Sequence, residues 1–344
     1  MYFVGADLHK PSTLFYVLDE HGNKYDTKVV SNSPESLEQY FMKLPKPFVL
    51  AVETTYNWYF FVDIAEKYAE KTYLADSYAL KGFAKRHKKT DKIDARLIAT
   101  LLYKGYLPTV TIADKASRNT REFLRYRINL VRDRTRLIAR IKTLLDKLGE
   151  PSALNLTTYK GLESIIYDHL PSNYQEIISG YIDSIRRITE KVRYIGTVIE
   201  NQAIQDADIV NLKTIPGLDY FGASLVKSEI IDIDRFGSFN RLCAYAGLAP
   251  RVAQSGNTVI HGPLNINRRK YLRWILLETV WHFIRSNSKS RHLYDALEKR
   301  KGSGTAKVIM ARHMLKVIYH VLKERRPFYQ ERRKIRSVAI PALS

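Results

Sequence analysis

Residues 115–148 contain neither glycine nor proline, and this uninterrupted segment is the feature that most constrains the fold. Apolar residues recur along it at close to 3.5-residue spacing, at Leu124, Ile128, Val131, Ile138, Ile141, Leu145 and Leu148. Such spacing indicates one long amphipathic helix and favours a coiled coil, although an ordinary bundle helix shows the same periodicity. A second long helix is predicted over residues 172–205. The two helices could pair antiparallel within one chain or associate between subunits.

Residues 1–110 alternate between strand patterns and helix patterns. Three β-prone runs, at 2–6, at 13–18 and around Lys28–Val30, are joined by turn residues and predict an antiparallel meander. The remaining predicted elements are a helix that opens at Ser33-Pro34, a buried strand over 48–52, a helix over 58–70, a strand over 72–75 and a helix from Thr90 to Leu102. This order predicts an α/β domain with a mixed sheet.

Glycine and proline return after about Ile209, which indicates a change of domain type. Helices are predicted in this part over 266–285 and 305–325. We therefore expect three segments: an α/β domain over 1–110, a helical segment over 111–207 and a mostly helical C-terminal domain over 208–344.

The net charge of +21 points to a polyanionic partner. Residues 265–344 carry 20 Lys and Arg against five Asp and Glu, a local net charge of +15. This excess predicts a surface that binds nucleic acid; a tail that only aids solubility and a membrane surface are the weaker alternatives. The single cysteine, Cys243, excludes a disulfide scaffold and a cysteine-rich zinc module and fits a reducing cytosol. We expect neither a membrane span nor a signal peptide.

Four acidic residues stand where an α/β sheet would bring them together. Asp7 ends the first strand, Glu53 ends the buried strand, and Asp91 and Asp94 are three residues apart on one helix face. Two carboxylates 4 Å apart in a partly buried site repel by about 4 kcal/mol, so the cluster calls for a cation. Oxygen ligands alone favour Mg²⁺ or Mn²⁺, and two such ions can stabilise both the attacking and the leaving oxygen at a phosphodiester. Taken singly, each acid also fits a turn, a helix cap or a solvated helix start.

Basic residues precede Asp91 and open a later helix, where they alternate with Tyr and Trp. Both patterns suit contacts with phosphates, and the second also suits base stacking. The candidate nucleic-acid-binding residues are Lys85, Arg86, Lys88, Lys89, Gly217, Arg251, Arg268, Arg269, Lys270 and Arg273.

Two further segments carry candidate functional residues. Residues 214–223 are similar to a helix–hairpin–helix, whose tight turn contacts phosphate through backbone N–H groups, but Asp219 stands where the second glycine is usual. A plain corner between two helices fits this segment equally well. Ser255 lies in a predicted turn, and by itself it lacks the base or metal that a nucleophilic serine needs. His261 is a nearby polar residue that could equally cap or pack.

These motifs, in this order, resemble those of the DEDD transposases of insertion-sequence family 110. The N-terminal motifs are G-A-D-L-H-K at 5–10, V-E-T at 52–54 and K-T-D-K-I-D-A at 89–95. The C-terminal motifs are I-P-G at 215–217, R-F at 235–236, Y-A-G-L-A-P at 245–250 and Q-S-G at 254–256. The resemblance covers nearly the whole chain. One departure is Asp76-Ser77, where many relatives have Asn-Pro; it concerns a loop and none of the candidate catalytic positions.

The resemblance implies a RuvC-like (ribonuclease H-like) N-terminal domain, a coiled-coil middle and a C-terminal transposase domain. It implies that Asp7, Glu53, Asp91 and Asp94 bind a divalent metal, Mg²⁺ or Mn²⁺. It also implies that Ser255 attacks DNA and forms a covalent phosphoserine intermediate.

The same resemblance implies the partners of the reaction. A structured guide (bridge) RNA would pair with donor and target DNA. Two dimers would form a tetramer in which the acids of one subunit act with the serine of another, so that the metal site activates Ser255. The reaction would take place on the nucleoid in the cytoplasm of a bacterium or archaeon.

Three alternatives to an RNA-guided recombinase remain open. A site-specific DNA invertase of the same family differs in substrate and not in chemistry. A RuvC-like Holliday-junction nuclease would use the acids with water and would ignore Ser255. A structural nucleic-acid-binding protein would use the acids only as helix caps and would show no metal dependence.

Overall fold

The computed structural model describes residues 1–83, 91–150, 156–165, 167–255, 258–264 and 269–328. Within these ranges the side chains of 91–93, 159, 251–255, 258–261 and 263–264 are not described. The chain forms two compact units, which we call unit 1 (Met1–Ala113) and unit 2 (Asp114–Ser344).

Unit 1 is an α/β unit built on a six-stranded mixed sheet with the order β3-β2-β1-β4-β5-β6. Its strands are β1 (Tyr2–Leu8), β2 (Ser12–Leu18), β3 (Lys24–Ser31), β4 (Phe48–Glu53), β5 (Lys71–Ala75) and β6 (Thr109–Val110). The antiparallel meander β1–β2–β3 is confirmed. β4 pairs in parallel with both β1 and β5, and β6 closes the edge antiparallel to β5. The predicted mixed sheet is therefore confirmed.

Four helices connect these strands: α1 (Pro34–Lys43), α2 (Trp58–Ala65), α3 (Ser77–Leu80) and α4 (Asp91–Tyr103). α1 begins where the sequence predicts, because the Ser33 side chain accepts a hydrogen bond from the Ser36 N–H and Pro34 needs no acceptor. α2 ends at Ala65, five residues earlier than predicted. The chain turns there, and the N–H of Glu70 already bonds the carbonyl of Phe48, the first residue of β4.

A glycine lets α4 lie directly on the middle of the sheet. A Cβ atom at Gly5 of β1 would stand 2.3 Å from the Ala95 carbonyl oxygen and 2.5 Å from the Ala99 nitrogen. No side chain fits at these distances, so only glycine permits this approach. Side chains alternate between the two faces of a strand, and residues two positions beyond Gly5 therefore also face α4.

Unit 2 is mostly helical. Its elements are α5 (Lys115–Lys147), α6 (Tyr159–Glu163), α7 (Ser172–Ala203), α8 (Ala207–Lys213), α9 (Tyr220–Ile230), α10 (Phe239–Tyr245), β7 (Pro250–Ser255), β8 (Thr258–Leu264), α11 (Lys270–Arg285), α12 (Ser288–Lys301) and α13 (Ser303–Glu324). The two long predicted helices are present as α5 and α7. The sequence did not single out α12 or the hairpin of β7 and β8.

The long helices α5 and α7 pack against each other within one chain and run antiparallel. Ile138 and Leu145, near the end of α5, share a core cluster with Ile178, near the start of α7. Leu124, near the start of α5, shares the main core of unit 2 with Ile199, near the end of α7. The apolar stripe of α5 is thus covered by α7 and by the rest of the C-terminal half.

No helix among the described residues combines the length and the apolar composition needed to cross a lipid bilayer.

Candidate functional site

Asp7 is the last residue but one of β1, and Glu53 is the last residue of β4, the neighbouring strand at the centre of the sheet. β1 and β4 are parallel and in register up to Ala6 and Val52, so the next residue of each strand is an acid. Asp7 is two residues beyond Gly5 and faces α4. Glu53 is two residues beyond Ala51, which packs with Ile98 of α4, and therefore lies on the same face.

Asp94, in the first turn of α4, comes to the same place. Glu53 and Asp94 line one cavity of about 50 Å³ together with Ser77, Lys81 and the apolar residues of α4. This volume has room for about one or two water molecules or small ions. Acids in the first turn also benefit from the positive end of the helix dipole. The structure therefore brings together two of the four predicted carboxylates, those of Glu53 and Asp94. Asp7 lies on β1, the strand next to β4, and on the same face of the sheet.

Asp7 is almost fully buried and is contacted by an imidazole. Nε2 of His9 lies 3.1 Å from Oδ2 of Asp7. The turn that carries His9 is held by two amides, since Nδ2 of Asn57 and Nδ2 of Asn32 both donate to the His9 carbonyl. The sequence reasoning missed these groups. A polar residue two positions after a strand-end acid was the available signal for His9.

Hydroxyl groups fix the loops that follow β4 and β5. The hydroxyls of Thr54 and Ser77 lie 2.6 Å apart, and the Ser77 hydroxyl also donates to the Thr54 carbonyl. Asp76 begins α3 and accepts from the N–H groups of Tyr78 and Ala79. The Asp76-Ser77 departure noted in the sequence thus has a defined local structure: the aspartate caps a helix and the serine bonds the loop next to Glu53.

The donor set suits a hard divalent cation, because carboxylate oxygens are the ligands that Mg²⁺ prefers. Within the described part of the chain, no group of three or more His, Cys, Asp or Glu side chains stands ready to hold a metal. The side chain of Asp91 is outside that part, as is the whole basic run with Lys85, Arg86, Lys88 and Lys89.

Ser255 occupies a defined backbone position in unit 2. It is the last residue of β7 and pairs with Thr258, the first residue of β8, so it stands at the end of a two-stranded hairpin. Its side chain and that of Arg251 are outside the described part, and Arg268 lies there entirely.

Polar contacts anchor the base of this hairpin. Gly247, with φ +69°, lets the chain turn from α10 into β7, and its carbonyl accepts a 2.6 Å hydrogen bond from Nη1 of Arg273. The Tyr245 hydroxyl donates to the Glu229 carbonyl of α9. The guanidinium groups of Arg235 and Arg269 lie 4.5 and 5.1 Å from the centre of the Tyr245 ring.

A buried carboxylate lies under this base. Oε1 of Glu229, which is 1% exposed, accepts a 2.8 Å hydrogen bond from Nη2 of Arg125. Arg121, also buried, donates through Nε to the Ser228 carbonyl. Burial lowers the pKa of the Arg121 guanidinium, and the charge of Glu229 opposes that shift. The cluster of Glu229, Arg121, Arg125 and Tyr245 joins α5 and α9 to the residues that precede β7.

The candidate nucleic-acid-binding residues at the start of α11 have different environments. Lys270 is exposed, while Arg273 is half-buried against Gly247 and Arg269 lies over Tyr245. The sequence pattern does not distinguish a basic residue that faces solvent from one that stabilises the neighbouring turn.

The glycine turn between α8 and α9 is packed closely on α11. Gly217 has φ +97°, and a Cβ atom there would stand 2.7 Å from the Thr279 carbonyl oxygen. Asp219 begins α9, and its Oδ1 accepts a 2.7 Å hydrogen bond from the Gly222 N–H. One N–H that a phosphate could use is therefore already bonded to a carboxylate; phosphate binding by Gly217 stays a prediction.

Comparison with known proteins decides the family. One family profile, described as a transposase with the DEDD motif of IS110, matches residues 4–149. A second, described as transposase of the IS116/IS110/IS902 family, matches residues 210–295. The chain belongs to the IS110 family of transposases. It is therefore an enzyme of insertion-sequence transposition, as the sequence motifs predict.

Individual relatives agree with this assignment. The chain is 25% identical to the transposase for insertion sequence element IS1111A of Coxiella burnetii over 69% of this chain and 67% of that protein. It is 24% identical to the transposase for IS1328 of Yersinia enterocolitica over 80% of this chain and 81% of that protein. A probable family 20 transposase of Pseudomonas aeruginosa is 22% identical over 93% of this chain and 96% of that protein.

Proposed function

We propose that this IS110-family transposase is an RNA-guided DNA recombinase that cleaves and exchanges strands through Ser255, with a divalent metal at the acidic site. The cavity that Glu53 and Asp94 share in unit 1 carries the metal part of this proposal. The backbone position of Ser255, at the end of β7 where the two-stranded hairpin turns, supports the role of the serine in this proposal.

We further propose that unit 1 has a ribonuclease H-like, RuvC-like fold and that α5 and α7 act as a coiled coil. The meander followed by two parallel strands supports the first, and the antiparallel pairing of the long helices supports the second.

The metal, Mg²⁺ or Mn²⁺, would be held by Asp7, Glu53, Asp91 and Asp94, and when bound it would promote loss of the serine proton and stabilise charge on the phosphate oxygens. His9 would keep the Asp7 carboxylate oriented through its contact with Oδ2. The pair of hydroxyls on Thr54 and Ser77 would hold the loop that follows Glu53.

In the first step, the Ser255 oxygen forms a bond to phosphorus and the bond from phosphorus to a sugar oxygen breaks. The proton that leaves the serine hydroxyl ends on the released sugar oxygen. In the second step, the sugar hydroxyl of another strand attacks the same phosphorus, and Ser255 leaves as a hydroxyl. The number of phosphodiester bonds is conserved, so no external energy source is needed.

A structured guide RNA would select donor and target DNA by base pairing, as in other RNA-guided systems. Two dimers would assemble into a tetramer in which the acids of one copy act with Ser255 of another. The reaction would take place on cytoplasmic DNA of a bacterium or archaeon.

A trapped-adduct assay tests this function. The protein is purified from cells that carry its native flanking DNA, mixed with Mg²⁺ and labelled DNA that spans the element junction, and denatured. We expect label on the protein, and its loss in Ser255→Ala, in Asp91→Asn and after chelation of the metal. The control variants Ser303→Ala and Glu66→Gln change exposed residues and should keep the adduct.

Two outcomes would contradict the proposal. Metal-dependent nicking that persists in Ser255→Ala without any adduct would indicate a RuvC-like nuclease. DNA binding with neither nicking nor adduct would indicate a structural nucleic-acid-binding protein. Inversion of a DNA segment in place of insertion would leave the chemistry intact and assign the invertase.

A further inference from the structure

A groove between α5 and α11 of unit 2 lies outside the predicted site residues. It has a volume of about 510 Å³. Its floor is apolar and is formed by aliphatic side chains of α5 and by Trp274 of α11. Three arginines of α5 line it, Arg127, Arg132 and Arg136, against one acidic side chain, Glu278, among the residues the structure describes. An apolar floor with a cationic rim matches a nucleotide, which has a flat base and a charged phosphate.

Aromatic rings support two of these arginines. The Arg127 guanidinium lies 4.4 Å from the centre of the Phe221 ring, and that of Arg132 lies 5.8 Å from the centre of the Tyr271 ring. Stacking orients a guanidinium but leaves its charge and its N–H edges for an anion. Nε of Arg127 is buried with no hydrogen-bond acceptor among the described residues. The groove thus keeps positive charge that its own lining does not neutralise.

The third arginine is engaged only at the surface. Nη2 of Arg136 donates to Oδ1 of Asp133 on the same helix; the arginine side chain is largely exposed and that of Asp133 is about half exposed. An exposed pair of this kind contributes little stability and exchanges readily for a phosphate. Arg132 and Arg136 are four residues apart on α5 and therefore lie on the same side of it.

Trp274 provides the flat surface for a base. It is half-buried and packs on the core of unit 2 from one side. Stacking of a base on an aromatic side chain needs an unpaired nucleotide, because the bases of a duplex stack on each other. The groove therefore fits a single strand better than a duplex.

The groove lies beside the base of the hairpin that ends at Ser255. α11 begins six residues after β8, and Arg273 in its first turn bonds Gly247, next to the start of β7. From Pro250 to Ser255 the strand extends about 17 Å at about 3.3 Å per residue. A single strand bound in the groove would therefore have to extend along the length of β7 to reach the serine.

We propose that the α5–α11 groove binds an unpaired segment of the DNA strand next to the phosphodiester that Ser255 attacks. Trp274 stacks on a base, and Arg132 and Arg136 contact the flanking phosphates. This site rests on the proposed function for its link with Ser255, whereas the binding itself can be measured separately.

The binding test uses the full-length protein and a labelled single-stranded DNA of 20 thymidines, with fluorescence anisotropy as the readout. Trp274→Leu keeps an apolar side chain and removes the aromatic ring. We expect about tenfold weaker binding, and near-native binding for Trp274→Phe. Arg132→Ala/Arg136→Ala should also weaken binding and should make the log–log salt slope less steep by about 1.4. The matched control Arg187→Ala/Arg241→Ala removes two exposed arginines of unit 2 outside the basic region 265–344 and should change affinity less than threefold.

If the arginine double variant and its control lose the same DNA affinity, the proposal for the groove is wrong, because the loss would then reflect net charge alone. Native affinity in folded Trp274→Leu would overturn it too. A labelled RNA of 20 uridines forms the second arm: loss of RNA binding with unchanged DNA binding would contradict the DNA assignment. The adduct assay separates the groove proposal from the proposed role of Ser255. Groove variants should need a higher DNA concentration for half-maximal adduct and should still form the Ser255 adduct at saturating DNA.

Discussion

The acidic site and the serine are supported in different ways. Asp7 and Glu53 lie at the carboxyl ends of the two central strands of a six-stranded sheet, and α4 packs on these strands at the close approach that Gly5 allows. Ser255 ends one strand of a two-stranded hairpin, which by itself is a marginal structure. The carboxylates thus take their positions from a buried sheet, and the serine takes its position from the contacts at the hairpin base.

This difference indicates a division of roles. A metal site needs ligands in fixed positions, which neighbouring central strands provide. For the proposed nucleophile Ser255, the described support is the set of polar contacts that hold the base of the hairpin. The base of that hairpin is therefore where small changes should matter most.

The largest expected effect is at Glu229. Glu229→Ala removes the buried carboxylate that accepts from the half-buried Arg125 and whose charge lies near the buried Arg121 guanidinium, so the free energy of unfolding should fall by about 3–5 kcal/mol. The matched control is Glu122→Ala, which removes the other carboxylate partner of Arg125, at 3.3 Å and largely exposed. That change should cost under about 1 kcal/mol. Urea unfolding of both variants measures the contrast, and equal small losses would show that the cluster does not stabilise unit 2.

The next effect is at the sheet. Gly5→Ala places a Cβ against the backbone of α4, and we expect a loss of about 1–3 kcal/mol or more, because both the strand and the helix are fixed by their neighbours. Gly180→Ala, in an exposed helix position with open space around it, should instead raise stability by about 0.5–1 kcal/mol. Thermal unfolding followed by circular dichroism compares them. A stable Gly5→Ala protein with normal metal-dependent activity would show that Asp94 does not depend on the close packing of α4 against Gly5 for its position.

The smallest effect concerns the turn with Gly217. Asp219→Ala removes the cap of α9 and should cost about 1 kcal/mol, whereas Asp219→Asn keeps the capping oxygen and should cost little. If the turn contacts phosphate, Asp219→Asn should also raise DNA affinity by up to about fivefold, since a carboxylate repels a phosphate 4 Å away by about 1 kcal/mol in water. Unchanged affinity would identify the segment as a plain helix corner.

The sequence predicts those elements of the fold that depend on residues close together in the chain. The start of α1 follows from Ser33 and Pro34, and Glu53 at the end of β4 follows from a continuous apolar run, since both depend on residues close in the chain. α2 ends earlier than its apolar pattern suggests because Glu70 bonds Phe48 in the sheet, a contact that the pattern does not contain.

The candidate site shows the same limit. The sequence predicts Asp7 and Glu53 because each follows an apolar run typical of a strand, and it predicts Asp94 because helical spacing places it on one face of α4. The grouping of Glu229 with Arg125, or of Trp274 with Arg132, joins residues more than a hundred positions apart, and no local pattern marks it. Arg273 is predicted from its residue type to contact phosphate, but in the structure its side chain bonds the carbonyl of Gly247 in the turn before β7.

Subunit complementation tests the central claim most directly. Ser255→Ala and Asp94→Asn chains are co-expressed with different tags and the native flanking DNA, and mixed assemblies are isolated by both tags. Each variant alone should give no adduct. The mixed assembly should recover label, carried only by the Asp94→Asn chain, because its serine can act with the intact acids of the other copy. Absence of label in mixed assemblies that bind DNA normally would contradict a reaction shared between the acids of one subunit and the serine of another.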